Sequence, residues 1–133
     1  MTCKEREVPV ALSKLGVIVW LFIAVLVSGF SEALAGRLLH MPLAILHKIL
    51  AVLCLILLFR IPGTIRAFQG PPVLTAMAVI FGFAYLAAFF TGAVQSIPAC
   101  ASSLWLNLHR VAAGIAVIAC AVAARFIAMA VRS

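Results

Sequence analysis

Two short stretches carry the residues that could do chemistry. Residues 46–56 read Leu-His-Lys-Ile-Leu-Ala-Val-Leu-Cys-Leu-Ile, and residues 108–118 read Leu-His-Arg-Val-Ala-Ala-Gly-Ile-Ala-Val-Ile. Each is a leucine, a histidine, a cation and an apolar run, near the start of a long hydrophobic segment. Histidine inside such a segment is costly to place, and its default reading is functional. His47 and His109 are therefore the candidate ligands, and the rest of the chain must be asked how it would position them.

Composition restricts the environment. The 133 residues are 67% hydrophobic and 10% charged, with mean hydropathy +1.30. A soluble domain of this size leaves much of its surface exposed and could not hide so much apolar area. A bilayer must cover it. The net charge of +7 reads as loop cations that set topology and not as a nucleic-acid surface, because no basic stripe with interleaved aromatics is present. Cys3, Cys54, Cys100 and Cys120 form neither a CxxC pair nor a CxxCH motif, which argues against covalent c-type haem attachment. Cys54 and Cys120 fall in apolar runs and read as small hydrophobes.

Four spans are expected, at about residues 15–35, 42–60, 73–95 and 104–131, forming one all-α transmembrane domain over residues 1–133. A basic lead, an apolar run and Ala33-Leu34-Ala35 before Gly36 also resemble a cleavable signal. The run is longer than the ~7–15 residues of such a segment and has an internal counterpart, so it reads as a retained helix. Gly36 is expected to end this helix, and Arg37 to Met41, with His40, to form a loop. Pro42 would open the second helix. Ile61-Pro62-Gly63-Thr64 and Gly70-Pro71-Pro72 bound a second loop, and Ile97 to Cys100 lies in a third. Ser102 or Ser103 would cap the fourth helix.

Loop cations orient the bundle. With the N-terminus cytoplasmic, Lys4, Arg6, Lys14, Arg60, Arg66, Arg125 and Arg132 lie inside, and only Arg37, Lys48 and Arg110 outside. The expected architecture is an up-down four-helix bundle with both termini cytoplasmic.

The repeat extends beyond the histidines. Val27-Ser28-Gly29 matches Phe90-Thr91-Gly92, 18 and 17 residues before the respective histidine. The chain is thus read as a duplicated helical hairpin. Counted from Pro42 and Leu104, each histidine is the sixth helical residue, ~8 Å below its helix start. Two parallel helices would then present imidazoles at one depth, as two axial ligands of one flat macrocycle require. Ala44, Ala51, Ala112 and Ala113 leave room nearby. Gly29 and Gly92 would let the backbone approach such a ring, and Lys48 and Arg110 could pair with its propionates. Zinc would want three or four close ligands. Copper at His40 and Met41 has no support from spacing. His40 and Glu32 could contact quinone or protons, but neither carries a catalytic assignment, and Cys100 has no assigned role.

This pattern resembles the small four-helix membrane b-type cytochromes. That group includes ascorbate-reducible cytochromes b, the membrane anchors of succinate dehydrogenase and small bacterial proteins with one histidine in each of two parallel helices. The likeness is architectural over residues 15–131, and specific in the two Leu-His-Lys/Arg motifs. Two-haem members need four ligand histidines, so one non-covalent haem b is implied here. The resemblance further implies electron transfer in a plasma (bacterial inner) membrane, between the quinone pool and an outer-face redox protein or other subunits of a complex. The chain would be a carrier or anchor and not a catalyst by itself. The alternative is a haem-free structural or accessory subunit of a larger membrane complex, its histidines making interhelical hydrogen bonds.

Overall fold

The apolar runs fold as four long helices. In the computed structural model, residues 3–60 and 72–132 are described, with side chains for residues 14–60, 72–129 and 132. The order is α1 (Cys3–Leu34), α2 (Arg37–Leu58), α3 (Pro72–Gln95) and α4 (Ser103–Arg132). The expected turns at residues 61–64 and 70–71, with Arg66, lie outside the described residues, as do the side chains of Lys4 and Arg6. Stretches of 21 to 27 residues within the helices are long and apolar enough to cross a membrane, since hydrocarbon ~30 Å thick needs about 20 helical residues. The outward faces agree: Trp20 and Phe83 are each 72% exposed, which suits lipid and not water. The chain is an integral membrane protein by this criterion.

Two compact units divide the chain at residues 68 and 69, and each is a helical hairpin. In the first, Glu32 meets His40 beside the linker, while Val25 and Ser28 meet His47 further along. The second runs from Gln95 with Ser102, through Phe90 with Trp105, to Ala88 with His109. Partners that separate stepwise from the linker on both helices define an antiparallel pair.

The packing stripes recur at helical spacing. On α1, among the side chains described, Leu15, Ile18, Phe22, Val25 and Ser28 are buried. On α2, Cys54 and Leu58 are buried, and Ala51 and His47 continue the same face toward the linker. On α3 the buried set is Leu74, Phe81, Ala84, Tyr85, Ala88 and Thr91. The face of α4 is made of small residues, Ala112, Ala116, Ala119 and Cys120, with His109 one turn ahead. Small side chains let two membrane helices approach closely. In both hairpins, therefore, the histidine lies on the face that also carries the buried stripe.

The second helix begins earlier than expected. Arg37 to Met41 is helical, and Pro42 sits inside α2 instead of at its first turn. Gly36 is the N-cap of α2 and not the end of a left-handed C-cap: its φ is −71° and ψ 174°, extended backbone open to any residue. Its carbonyl accepts from the N–H of both Leu39 and His40 at 3.1 Å. The physical reason is the solvent. Where water is scarce a helix satisfies its own backbone, and a proline that would end a soluble helix is tolerated. The fourth helix starts as expected: Ser102 caps it, with its Oγ accepting from the Trp105 N–H at 3.4 Å and its carbonyl from Leu106 at 3.1 Å.

Candidate histidine sites

His47 and His109 are held in the same way, each by the first helix of its own hairpin. The Nδ1 of His47 lies 3.0 Å from the carbonyl oxygen of Val25, and that of His109 lies 2.7 Å from the carbonyl oxygen of Ala88. A carbonyl only accepts, so each Nδ1 carries the proton and donates it. In the neutral ring this leaves the lone pair on Nε2, the tautomer that suits metal ligation, with an N–H···O=C bond fixing the ring.

The Nε2 atoms are not fully buried. Among the described residues the histidine bonds run through Nδ1, and no buried side-chain nitrogen or oxygen lacks a partner. Both histidines are half-buried, so each Nε2 must lie on the accessible side of its ring.

The glycines make this seating possible. A Cβ built on Gly29 would lie 3.0 Å from His47 Cε1 and 3.2 Å from its Nδ1; one on Gly92 would lie 3.0 Å from His109 Cε1 and 3.1 Å from its Nδ1. Carbon atoms prefer ~3.5–4.0 Å, so each imidazole occupies the volume a side chain would need. Gly29 and Gly92, expected to admit a flat ring, admit the histidines themselves.

Sequence reasoning missed the carbonyls of Val25 and Ala88, because a main-chain acceptor leaves no letter in the sequence. It also aligned Ser28 with Thr91 without giving them a part. The Ser28 hydroxyl donates to the Val25 carbonyl at 2.8 Å and lies 3.1 Å from His47 Nδ1. The Thr91 hydroxyl is 2.8 Å from the Ala87 carbonyl and 3.1 Å from that of Ala88. The same set recurs in each hairpin: a carbonyl, a hydroxyl three residues on, a glycine next to it, and the histidine on the facing helix.

The depth argument needs correction. His47 is the eleventh residue of α2 and His109 the seventh of α4, because α2 begins at Arg37. Equivalence therefore comes from the carbonyl and glycine each ring meets, and not from distance to a helix start. Ala44 and Ala113 are half-buried, whereas Ala112 is buried. Lys48 and Arg110 are exposed directly after the histidines.

His40 is not in a loop; it lies in the first turn of α2, exposed, with its Nδ1 3.3 Å from the Glu32 carbonyl oxygen. Cys100 is exposed, and Cys54 and Cys120 are buried. Among the described residues, no group of three or more His, Cys, Asp or Glu side chains is placed to hold a metal ion.

Comparisons with protein-family models, with curated proteins and with solved structures gave no match to this chain.

Proposed function

We propose that this chain is a membrane b-type cytochrome that holds one haem b through His47 and His109 and carries electrons between the quinone pool and a redox partner. The reading takes the helices as an up-down bundle with cytoplasmic termini, on the cation asymmetry of the sequence. One observation carries it. Both imidazoles donate Nδ1–H to a backbone carbonyl and keep Nε2 unengaged at the surface of their hairpin. The Nδ1–H bonds join the two helices of each hairpin, and the nitrogen they leave over, Nε2, is the atom that iron would take.

The residues fit the group in three respects. The tautomer is right at both positions, the rings are braced by glycine contacts, and no competing acid or thiol set draws a different metal among the described residues. Haem, when bound, supplies a one-electron ferric/ferrous couple. The protein's part is to present two nitrogens and to hold their rings from the far side. It also supplies Lys48 and Arg110 as cations one residue beyond each ligand, suited to propionates. The apolar helices keep water from the ligands, which raises the weight of every nearby dipole on the potential.

The test is the visible spectrum of protein purified from haem-replete cells. A Soret band with a sharp band in the reduced state, of low-spin type, is the expected result. A colourless protein would overturn the reading in favour of a haem-free accessory subunit.

A further inference from the structure

We infer that Ser28 and Thr91 are positioning residues that fix the protonated nitrogen of each ligand histidine, Ser28 the more strongly. Their relevance to iron rests on the haem reading above; their effect on the imidazoles does not.

The carbonyls of Val25 and Ala88 lie in the middle of transmembrane helices, where a carbonyl normally accepts one N–H from four residues on. Each accepts a histidine Nδ1–H as well. A hydroxyl three residues along the same helix is bonded to that same carbonyl, Ser28 at 2.8 Å and Thr91 at 3.1 Å. Serine and threonine that bond back in this way bend a helix slightly. The carbonyl so bonded is the one that meets the donor on the facing helix. The following residue is the glycine that gives the ring its space. Hydroxyl and glycine thus act together: one bonds the acceptor and the other clears the approach.

The two hairpins differ in one respect that ranks the effects. Ser28 Oγ is itself 3.1 Å from His47 Nδ1, so after donating to Val25 its lone pairs can share the imidazole proton. Thr91 divides its hydroxyl between the carbonyls of Ala87 and Ala88, while His109 makes a single short bond of 2.7 Å. The Nδ1–H form of His47 thus has two acceptors, one of them the serine, whereas that of His109 depends on its carbonyl alone. Removing a hydroxyl should loosen His47 more than His109.

The experiment is 15N NMR of histidine-labelled full-length protein in micelles, prepared without haem, with His47 and His109 assigned by single substitution. The wild-type chain is expected to show both rings protonated at Nδ1. Ser28→Ala removes one of two acceptors and is expected to shift the His47 Nδ1 signal and speed exchange of its proton, leaving His109 unchanged. Thr91→Ala should give a smaller change confined to His109, and Ser28→Thr should restore the wild-type signals. Helicity by circular dichroism confirms that each variant is folded. If His47 in a folded Ser28→Ala variant keeps the wild-type Nδ1 signal and proton exchange rate, the inference is overturned even if the protein binds haem. If the wild-type protein is colourless but Ser28→Ala moves the His47 Nδ1 signal, the positioning role stands and only the haem reading fails.

Discussion

Substituting Gly29 by alanine separates seating a ligand from stabilising a fold. The new methyl would lie 3.0 Å from His47 Cε1, 3.2 Å from Nδ1 and 3.6 Å from Nε2. To reach an ordinary carbon contact of ~3.5–4.0 Å the ring must retreat by roughly 0.5–1 Å. The Nδ1 to Val25 distance, now 3.0 Å, would then pass the range of a real hydrogen bond. Losing that bond is cheap in a membrane, where interhelical hydrogen bonds average ~0.6 kcal/mol. Alanine in place of glycine returns about 1 kcal/mol through helix propensity. The two nearly cancel, so the variant should unfold at about the wild-type temperature. The ligand, however, has lost its brace, and loss of such support typically lowers metal affinity ~10–100-fold. The assay pairs thermal unfolding in detergent with the haem-to-protein ratio after gel filtration. Gly92→Ala, whose methyl would lie 3.0 Å from His109 Cε1, should behave alike. Gly82→Ala and Gly114→Ala are the controls, since nothing lies within 4 Å of a Cβ at either position; they should keep full haem content. Gly29→Ala and Gly92→Ala proteins that retain haem as well as the controls would refute the reasoning.

Pro42 lies inside α2 and denies the Leu38 carbonyl its N–H partner. Pro42→Ala should therefore raise the unfolding midpoint, by up to about 3 kcal/mol of stability; an unchanged or lower midpoint contradicts the observed helix start. Ser102→Ala removes the cap of α4 and should cost ~1 kcal/mol, lowering the midpoint while the visible spectrum stays as it was. Lys48→Gln combined with Arg110→Gln should preserve the spectrum but speed haem transfer to an acceptor globin a few-fold, since each exposed charge contributes about 0.2–1 kcal/mol; unaltered transfer would remove these cations from the site.

Much of the fold was legible because bilayer helices announce themselves by length and apolarity. The third and fourth helices begin at Pro72 and Ser103, each within a residue of the expected start, where a proline or a serine cap marks the entry. The second helix was misjudged at its start because Pro42 was weighed by rules for helices in water. In an apolar setting the five preceding residues, three of them leucine or methionine, satisfy their backbone best by joining the helix. At the site, the copied spacing showed that His47 and Gly29 correspond to His109 and Gly92, but the glycines were expected against a flat ligand and meet the imidazoles instead. The acceptors could not be read, because a carbonyl has no identity in the sequence. Ser28 and Thr91 were visible in the alignment of the two hairpins; what was missing was the observation that each shares its carbonyl with the histidine opposite.

Haem stoichiometry in the single-histidine variants bears most directly on the proposal that His47 and His109 serve one iron. The wild-type chain should carry one haem, and His47→Ala and His109→Ala should each carry none in low-spin form, because either loss leaves one axial position open. Variants that each keep half of the wild-type haem with an unaltered spectrum would contradict it, since the two histidines would then belong to separate sites.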